Sequence, residues 1–195
     1  MDFELPAELT AYLAELDEFI EREIRPIEQE GDNIRFFDHR REDARTDWDN
    51  QGLPNEEWEQ LLRRVRDVAD KAGHYRYPFP KEFGGRDGTN LGMAVIRDHF
   101  ASKGLGLHND LQNEHSIVGN NVGLLLMLNY GTDEQKADWI DDLAEGRRHF
   151  AFGITEPNHG SDATHMETTA IRDGDEWVIS GEKTWNTGVH KAQYD

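Results

Sequence analysis

The 195-residue sequence has no cysteine. Disulfides, a thiol nucleophile and cysteine-ligated zinc or iron–sulfur centres are therefore excluded. Basic residues are scarce: 21 Lys+Arg stand against 40 Asp+Glu, a formal net charge of −19. Such a chain cannot neutralise phosphates wholesale, so neither nucleic acid nor an anionic membrane surface is an expected partner. No apolar run approaches the ~20 residues that span a bilayer. The acidic start, Asp2-Phe3-Glu4, has the wrong sign for a secretory signal or a transit peptide. The expectation is a soluble, cytoplasmic protein with an acidic, solvated surface. A salt-adapted host or a basic partner would also account for that surface. Disorder does not follow from the charge, because five Trp, five Tyr and nine Phe can anchor a core.

Apolar spacing predicts mainly helix for most of the chain. Leu9, Leu13, Leu16, Phe19, Ile20, Ile24 and Ile27 recur at three- and four-residue steps, placing a first helix over 7–28. Arg25-Pro26 is expected to kink or fray its end. Residues 29–53 are polar and aperiodic, a linker in character. A second helix is expected over 54–71, stopping at Ala72-Gly73. A third is expected over 91–102 and a fourth over 116–128. The fourth is apolar all round at Leu124–Leu128, which argues for burial among other helices. Thr132-Asp133-Glu134-Gln135 matches a capping box opening a fifth helix that ends at Gly146.

After Gly146 the period becomes that of a strand, at Phe150, Phe152 and Ile154. Residues 168–172 and 176–180 flank Asp173-Gly174 as a hairpin. Lys183-Thr184-Trp185-Asn186-Thr187 begins a further strand. The fold class expected is mainly α with a C-terminal β portion: a helical bundle over 1–148, then the first strands of an antiparallel β barrel or sandwich over 149–195. Those few strands have open edges and cannot enclose a core alone, so the chain reads as the front part of a larger protein.

The segment 152–162 is densest in chemistry. Gly160 permits close backbone approach, and Thr155 and Ser161 offer hydroxyls and backbone N–H groups. Such a loop can hold an anionic or carbonyl-bearing cofactor without a basic patch. It also reads as a plain polar connection capped by Ser and Asp. His108, Asp110, Glu114 and His115 cluster in sequence, but their spacing matches no ligand motif, nor does that of His149, His159 and His165; no metal site is assigned.

Pro80-Lys81-Glu82-Phe83-Gly84-Gly85 resembles the Pro-x-Glu-aromatic-Gly-Gly turn of the acyl-CoA dehydrogenase family. Gly131-Thr132-Asp133-Glu134-Gln135-Lys136, with Leu143-Ala144-Glu145-Gly146 after it, resembles that family's Gly-Thr-x-Glu-Gln-Lys helix. Thr155-Glu156-Pro157-x-x-Gly160-Ser161-Asp162 is similar to its Thr-Glu-Pro-x-x-Gly-Ser-Asp signature. Gly181-x-Lys183-x-Trp185-x-Thr187 resembles its Gly-x-Lys-x-Trp-Ile-Thr strand. The motifs occur in one order and cover nearly the whole chain, with 29–53 matching least.

The resemblance implies an FAD enzyme forming an α,β-double bond in an acyl-CoA thioester. It implies cofactor contacts from Phe152, Ile154, Thr155, Gly160, Ser161, Trp185, Asn186 and Thr187. Ile154 and Thr155 would stand near the flavin pyrimidine edge, Ser161 near the pyrophosphate and the thioester substrate, Trp185 on the isoalloxazine and Thr187 near N5. It implies an electron-transfer flavoprotein or other acceptor, a homodimer or homotetramer, and a catalytic base outside these 195 residues. Departures are Asn186 at the usual Ile position, Val189-His190 in place of Asn-Gly, and His159 where a small residue is usual. The alternatives are an acyl-CoA oxidase or flavin monooxygenase on the same scaffold, and a non-catalytic interaction module. Glu156-Pro157 favours the dehydrogenase over the oxidase.

Overall fold

The computed structural model describes residues 4–112, 122–186 and 189. They fall into two compact units, 1–114 and 115–195. The first begins with α1 (Ala7–Phe19), which runs through a π turn (Ile20–Ile24) into α2 (Arg25–Gln29). Arg25-Pro26 therefore does not end the helix. Pro26 has no N–H for the carbonyl one turn back, and the wider π turn just before it takes up that defect, so helix continues to Gln29. One apolar face persists throughout: Leu9, Leu16, Phe19, Ile20, Ile24 and Ile27 are all buried.

Residues 29–53 are ordered, not a free linker. They fold as short 3₁₀ turns and two two-residue strands, β1 (Thr46–Asp47) and β2 (Leu53–Pro54), paired antiparallel. Phe36 and Phe37 pack on Trp58, with ring centroids 5.2 and 5.8 Å away. The Arg45 guanidinium lies over Trp58 and donates to the Phe36 carbonyl at 2.6 Å. Turns of this kind carry no long apolar period, which is why the segment reads as polar linker in the sequence.

The second helix expected is α3 (Glu56–Lys71), opened by the Asn55 side chain accepting from the Glu57 amide and closed at Gly73, φ +77°. Trp58, Leu61, Leu62, Val65 and Ala69 form its buried stripe. The third is α4 (Asn90–Ser102), capped by Thr89. Between them, Gly84 sits at φ +79° after a 3₁₀ turn, and a Cβ on Gly85 would lie 2.0 Å from the Phe79 carbonyl oxygen. The Gly-Gly pair thus meets two separate demands, a left-handed residue and a contact with no room for a side chain.

The second unit holds α5 (Val122–Tyr130) and α6 (Asp133–Ala144), which pack together. The first half of the expected 116–128 helix lies outside the described residues. Its apolar run is only partly enclosed within the unit: Leu124 is fully buried, whereas Leu126 is 47% exposed. The Thr132 capping box is complete, with Thr132 accepting from the Gln135 amide and Gln135 accepting from the Thr132 amide. The expected hairpin is β3 (Thr169–Asp173) against β4 (Glu176–Ser180), in register from Thr169–Ser180 to Asp173–Glu176. Its two-residue turn is Gly174-Asp175, with Gly174 at φ +62° in the first central position. Phe150 and Phe152 each make a single β-bridge, but residues 150–154 and 183–186 form no strand longer than this among the described residues.

Candidate functional site

The Thr155–Asp162 loop is built around a buried carboxylate. Glu156 is 3% exposed. Its amide donates to the His159 carbonyl and its carbonyl accepts from the His159 amide, both at 3.2 Å, so Pro157 and Asn158 form a tight turn. The Glu156 carboxylate accepts from the Glu167 amide at 2.5 Å, the Thr168 amide at 2.9 Å and the Lys183 ammonium at 2.8 Å. First Lys183, then Thr168 and the Glu167 amide, hold the Glu156 carboxyl far below the usual carboxylate range. A buried carboxylate met by a cation and two amides is a satisfied charge, and here it ties three chain segments together.

Lys183 completes that tie. Beyond Glu156 it donates to the Ile154 carbonyl at 3.3 Å and to the Met166 sulfur at 3.4 Å. One residue on, the Thr184 amide donates to the Thr155 carbonyl at 2.9 Å. The Gly181–Asn186 segment is therefore laid along the Ile154–Thr155 backbone. Gly153 allows that approach, since a Cβ there would stand 2.8 Å from the Asn186 amide group. Sequence reasoning nominated the loop and the Lys183 strand separately. It did not identify Glu156 and Lys183 as the pair joining them; opposite charges within matching motifs were the available signal.

Of the residues nominated from sequence, Ile154, Thr155 and Asn186 come together at this junction, Phe152 and Trp185 flank it along the chain, and Gly160 and Ser161 lie on the exposed rim of the turn. A Cβ on Gly160 would meet nothing within 4 Å, so the rim is open. Asp162 organises it by accepting from the Thr164 hydroxyl at 2.9 Å and pairing with His165 Nδ1 at 2.7 Å. His165 holds the Asp162 carboxyl below its ordinary value, with Thr164 second. His159 stands 3.7 Å from Glu167. Trp185 is 88% exposed at φ +63°, a left-handed conformation that an aromatic residue rarely adopts. Thr187 lies outside the described residues. The Thr184 Oγ1 and Asn186 Oδ1 atoms are buried with no partner among the described residues.

A cleft of about 390 Å³ adjoins the same edge, lined by Leu126, Met127, Tyr130, Phe150, Phe152 and small residues including Gly123 and Gly153. Its wall is fixed by Phe150, which stacks on Trp139 of α6 at 5.2 Å. The cleft is mostly apolar and reaches the Phe152–Gly153 backbone.

Of the His108 cluster, His108 and Asp110 lie among the described residues. His108 is fully buried, its Nε2 3.2 and 3.1 Å from the Phe100 and Gly104 carbonyls, and Asp110 pairs with Arg66. Glu114 and His115 lie outside the described residues. Among the described residues no three potential ligands stand together.

Comparison with known proteins gives the following likenesses. The family model described as acyl-CoA dehydrogenase, N-terminal domain, matches residues 6–147, and that of the acyl-CoA dehydrogenase middle domain matches 151–194. Acyl-CoA dehydrogenase FadE26 of Mycobacterium tuberculosis is 34% identical over 116 residues, 60% of this chain and 27% of that protein. The (2S)-methylsuccinyl-CoA dehydrogenase of Cereibacter sphaeroides is 37% identical over 129 residues, 66% of this chain and 22% of that protein. The chain thus spans less than a third of the length of either relative. Among solved structures, a glutaryl-coenzyme A dehydrogenase in complex with glutaryl-CoA superposes with a TM-score of 0.58 at 25% identity, covering 100% of this chain and 43% of that one. An acyl-CoA dehydrogenase of Geobacillus kaustophilus does so at 0.52 and 25%, covering 97% and 42%.

Proposed function

From the premise that this chain belongs to the acyl-CoA dehydrogenase family, we propose that it forms the helical and early β part of an FAD-dependent enzyme that introduces an α,β-double bond into an acyl-CoA thioester. The domain boundary near residue 148 belongs to this proposal. The observation that carries it is the junction of Thr155 with Thr184 and Asn186, held by Glu156 and Lys183. Buried Thr184 and Asn186 oxygens with no partner among the described residues, and an open Gly160–Ser161 rim, fit a ligand that has hydrogen-bonding edges and an anionic tail.

Bound there, FAD supplies the acceptor for the substrate β-hydride. The Thr155 and Thr187 hydroxyls and the Asn186 amide would hold it by hydrogen bonding, and Ser161 would hold its anionic tail and the thioester. The Trp185 indole would pack against it and exclude water. Phe152 and Ile154 supply apolar contact, and the adjoining cleft offers space for an acyl chain. The Glu156–Lys183 tie keeps these groups in one geometry without contacting substrate. No carboxylate of this chain is nominated to take the α-proton; the base lies in another part of the protein. The partners in this reading would be an electron-transfer flavoprotein or similar acceptor and further copies of the protein in a homo-oligomer.

The test is anaerobic mixing of the complete FAD-loaded protein with a series of acyl-CoA thioesters. Bleaching of the oxidised flavin absorbance, with little oxygen consumption in aerobic turnover, supports the dehydrogenase. Rapid substrate-dependent oxygen consumption would make it an oxidase or monooxygenase. No bleaching with any thioester would remove the reading.

A further inference from the structure

We propose that Met166 is a modification site for peroxide, and that its oxidation tightens the hold of Lys183 on the Thr155–Asp162 loop. The Lys183 ammonium has three protons and three neighbours to receive them. Two are oxygen acceptors, Glu156 Oε1 at 2.8 Å and the Ile154 carbonyl at 3.3 Å; the third is the Met166 sulfur at 3.4 Å. A thioether is a weak acceptor, so this corner of the tie is under-filled. Met166 is also half exposed, whereas Met93 and Met127 are more enclosed. Met166 is thus the most exposed methionine among the described residues, and its sulfur is joined to a buried ion pair.

The chemistry balances with a peroxide as the co-reactant. A sulfur lone pair attacks one peroxide oxygen, an S–O bond forms and the O–O bond breaks. The departing oxygen takes up the proton released and leaves as water or, from an organic peroxide, as an alcohol. Sulfur is oxidised from thioether to sulfoxide and the peroxide is reduced. A thiol-dependent methionine sulfoxide reductase reverses the step. The new oxygen is a full acceptor pointing from a sulfur already within reach of an ammonium, so a weak contact becomes a charge-assisted hydrogen bond. Glu156 is anchored by the same ammonium, and its carboxylate receives the Glu167 and Thr168 amides. A firmer Lys183 therefore means a firmer loop.

The experiment treats the full chain with graded hydrogen peroxide, follows methionine oxidation by peptide mapping and measures amide hydrogen exchange before and after. Met166 is expected to oxidise before Met93 and Met127, and exchange at Glu167 and Thr168 to slow by roughly threefold to tenfold. Met166→Leu keeps the volume without the sulfur, and in that variant peroxide is expected to leave these amides unchanged. The proposal is overturned if Met166 oxidises no faster than Met93 or Met127. It is equally overturned if exchange at the two amides stays constant or accelerates on oxidation, or if Met166→Leu responds to peroxide as the unaltered chain does.

Discussion

Glu156 and Lys183 meet at 2.8 Å across 27 residues of sequence, with the Glu156 side chain 1% exposed. The ion pair closes the Thr155–Asp162 loop against the segment that carries Trp185 and Asn186. Replacing Glu156 by Gln keeps the shape and removes the charge, leaving Lys183 without its anion. Exchange at the Glu167 and Thr168 amides is expected to rise by roughly tenfold or more, since each amide loses a charged acceptor. Unchanged exchange would mean the loop holds its form without the pair. The same carboxyl predicts acid behaviour: its folded pKa lies below the unfolded value of 4.5. The stability it contributes is complete above that value and is lost as pH falls towards the folded pKa.

Two buried histidines predict a separate loss at milder pH. Burial is the main cause that lowers the pKa of both His74 and His108 from 6.5, with Arg25 adding to the effect at His108 and Arg86 at His74. Each therefore binds its proton more readily in the unfolded chain than in the folded one. Their contribution is whole above about pH 6.5 and declines below it. Urea unfolding of the first unit at pH 7.5 and 5.5 should give the lower midpoint at 5.5. Replacing His108 with Gln should shrink that difference; an equal midpoint at both pH values would contradict the account.

Thr132→Ala removes the hydroxyl that accepts from the Gln135 amide at the start of α6. The loss should be about 1 kcal/mol, the usual cost of an N-cap. Because α6 carries Trp139, on which Phe150 stacks, the cost should appear in the second unit and leave the unfolding of the first unchanged.

Gly85→Ala forces a Cβ to within 2.0 Å of the Phe79 carbonyl oxygen, a rigid backbone neighbour. A destabilisation of roughly 1–3 kcal/mol is expected. Gly31→Ala, where a Cβ would meet nothing within 4 Å but φ is +57°, separates the two causes: its cost is backbone strain alone, about 1 kcal/mol.

How much of this was legible in the sequence depends on whether a residue acts through its neighbours in the chain. Helices α3, α4 and α6 were readable to within two residues, because apolar period, cap residue and terminal glycine all lie within one element. The hairpin was readable for the same reason, although its turn falls at Gly174-Asp175, one residue beyond the Asp173-Gly174 read from the sequence. The Ile20–Ile24 π turn was not, since Pro26 signals a break but not how the chain absorbs it. The order in 29–53 was hidden because Phe36, Phe37 and Arg45 depend on Trp58, in a helix they do not belong to. At the candidate site the motifs marked Thr155, Ser161 and Trp185 through resemblance. The ion pair that joins them became visible only when the hairpin brought Lys183 back to Glu156.

The central claim is that the loop and the returning segment present one set of groups to a flavin. In the complete FAD-loaded protein, Thr187→Ala and Thr155→Val should each slow anaerobic flavin reduction by an acyl-CoA more than they weaken FAD binding. One lost hydrogen bond corresponds to roughly 1–3 kcal/mol, about fivefold to 150-fold. Reduction rates that stay at the unaltered value in both variants, with FAD affinity also unchanged, would place the flavin elsewhere and contradict the account.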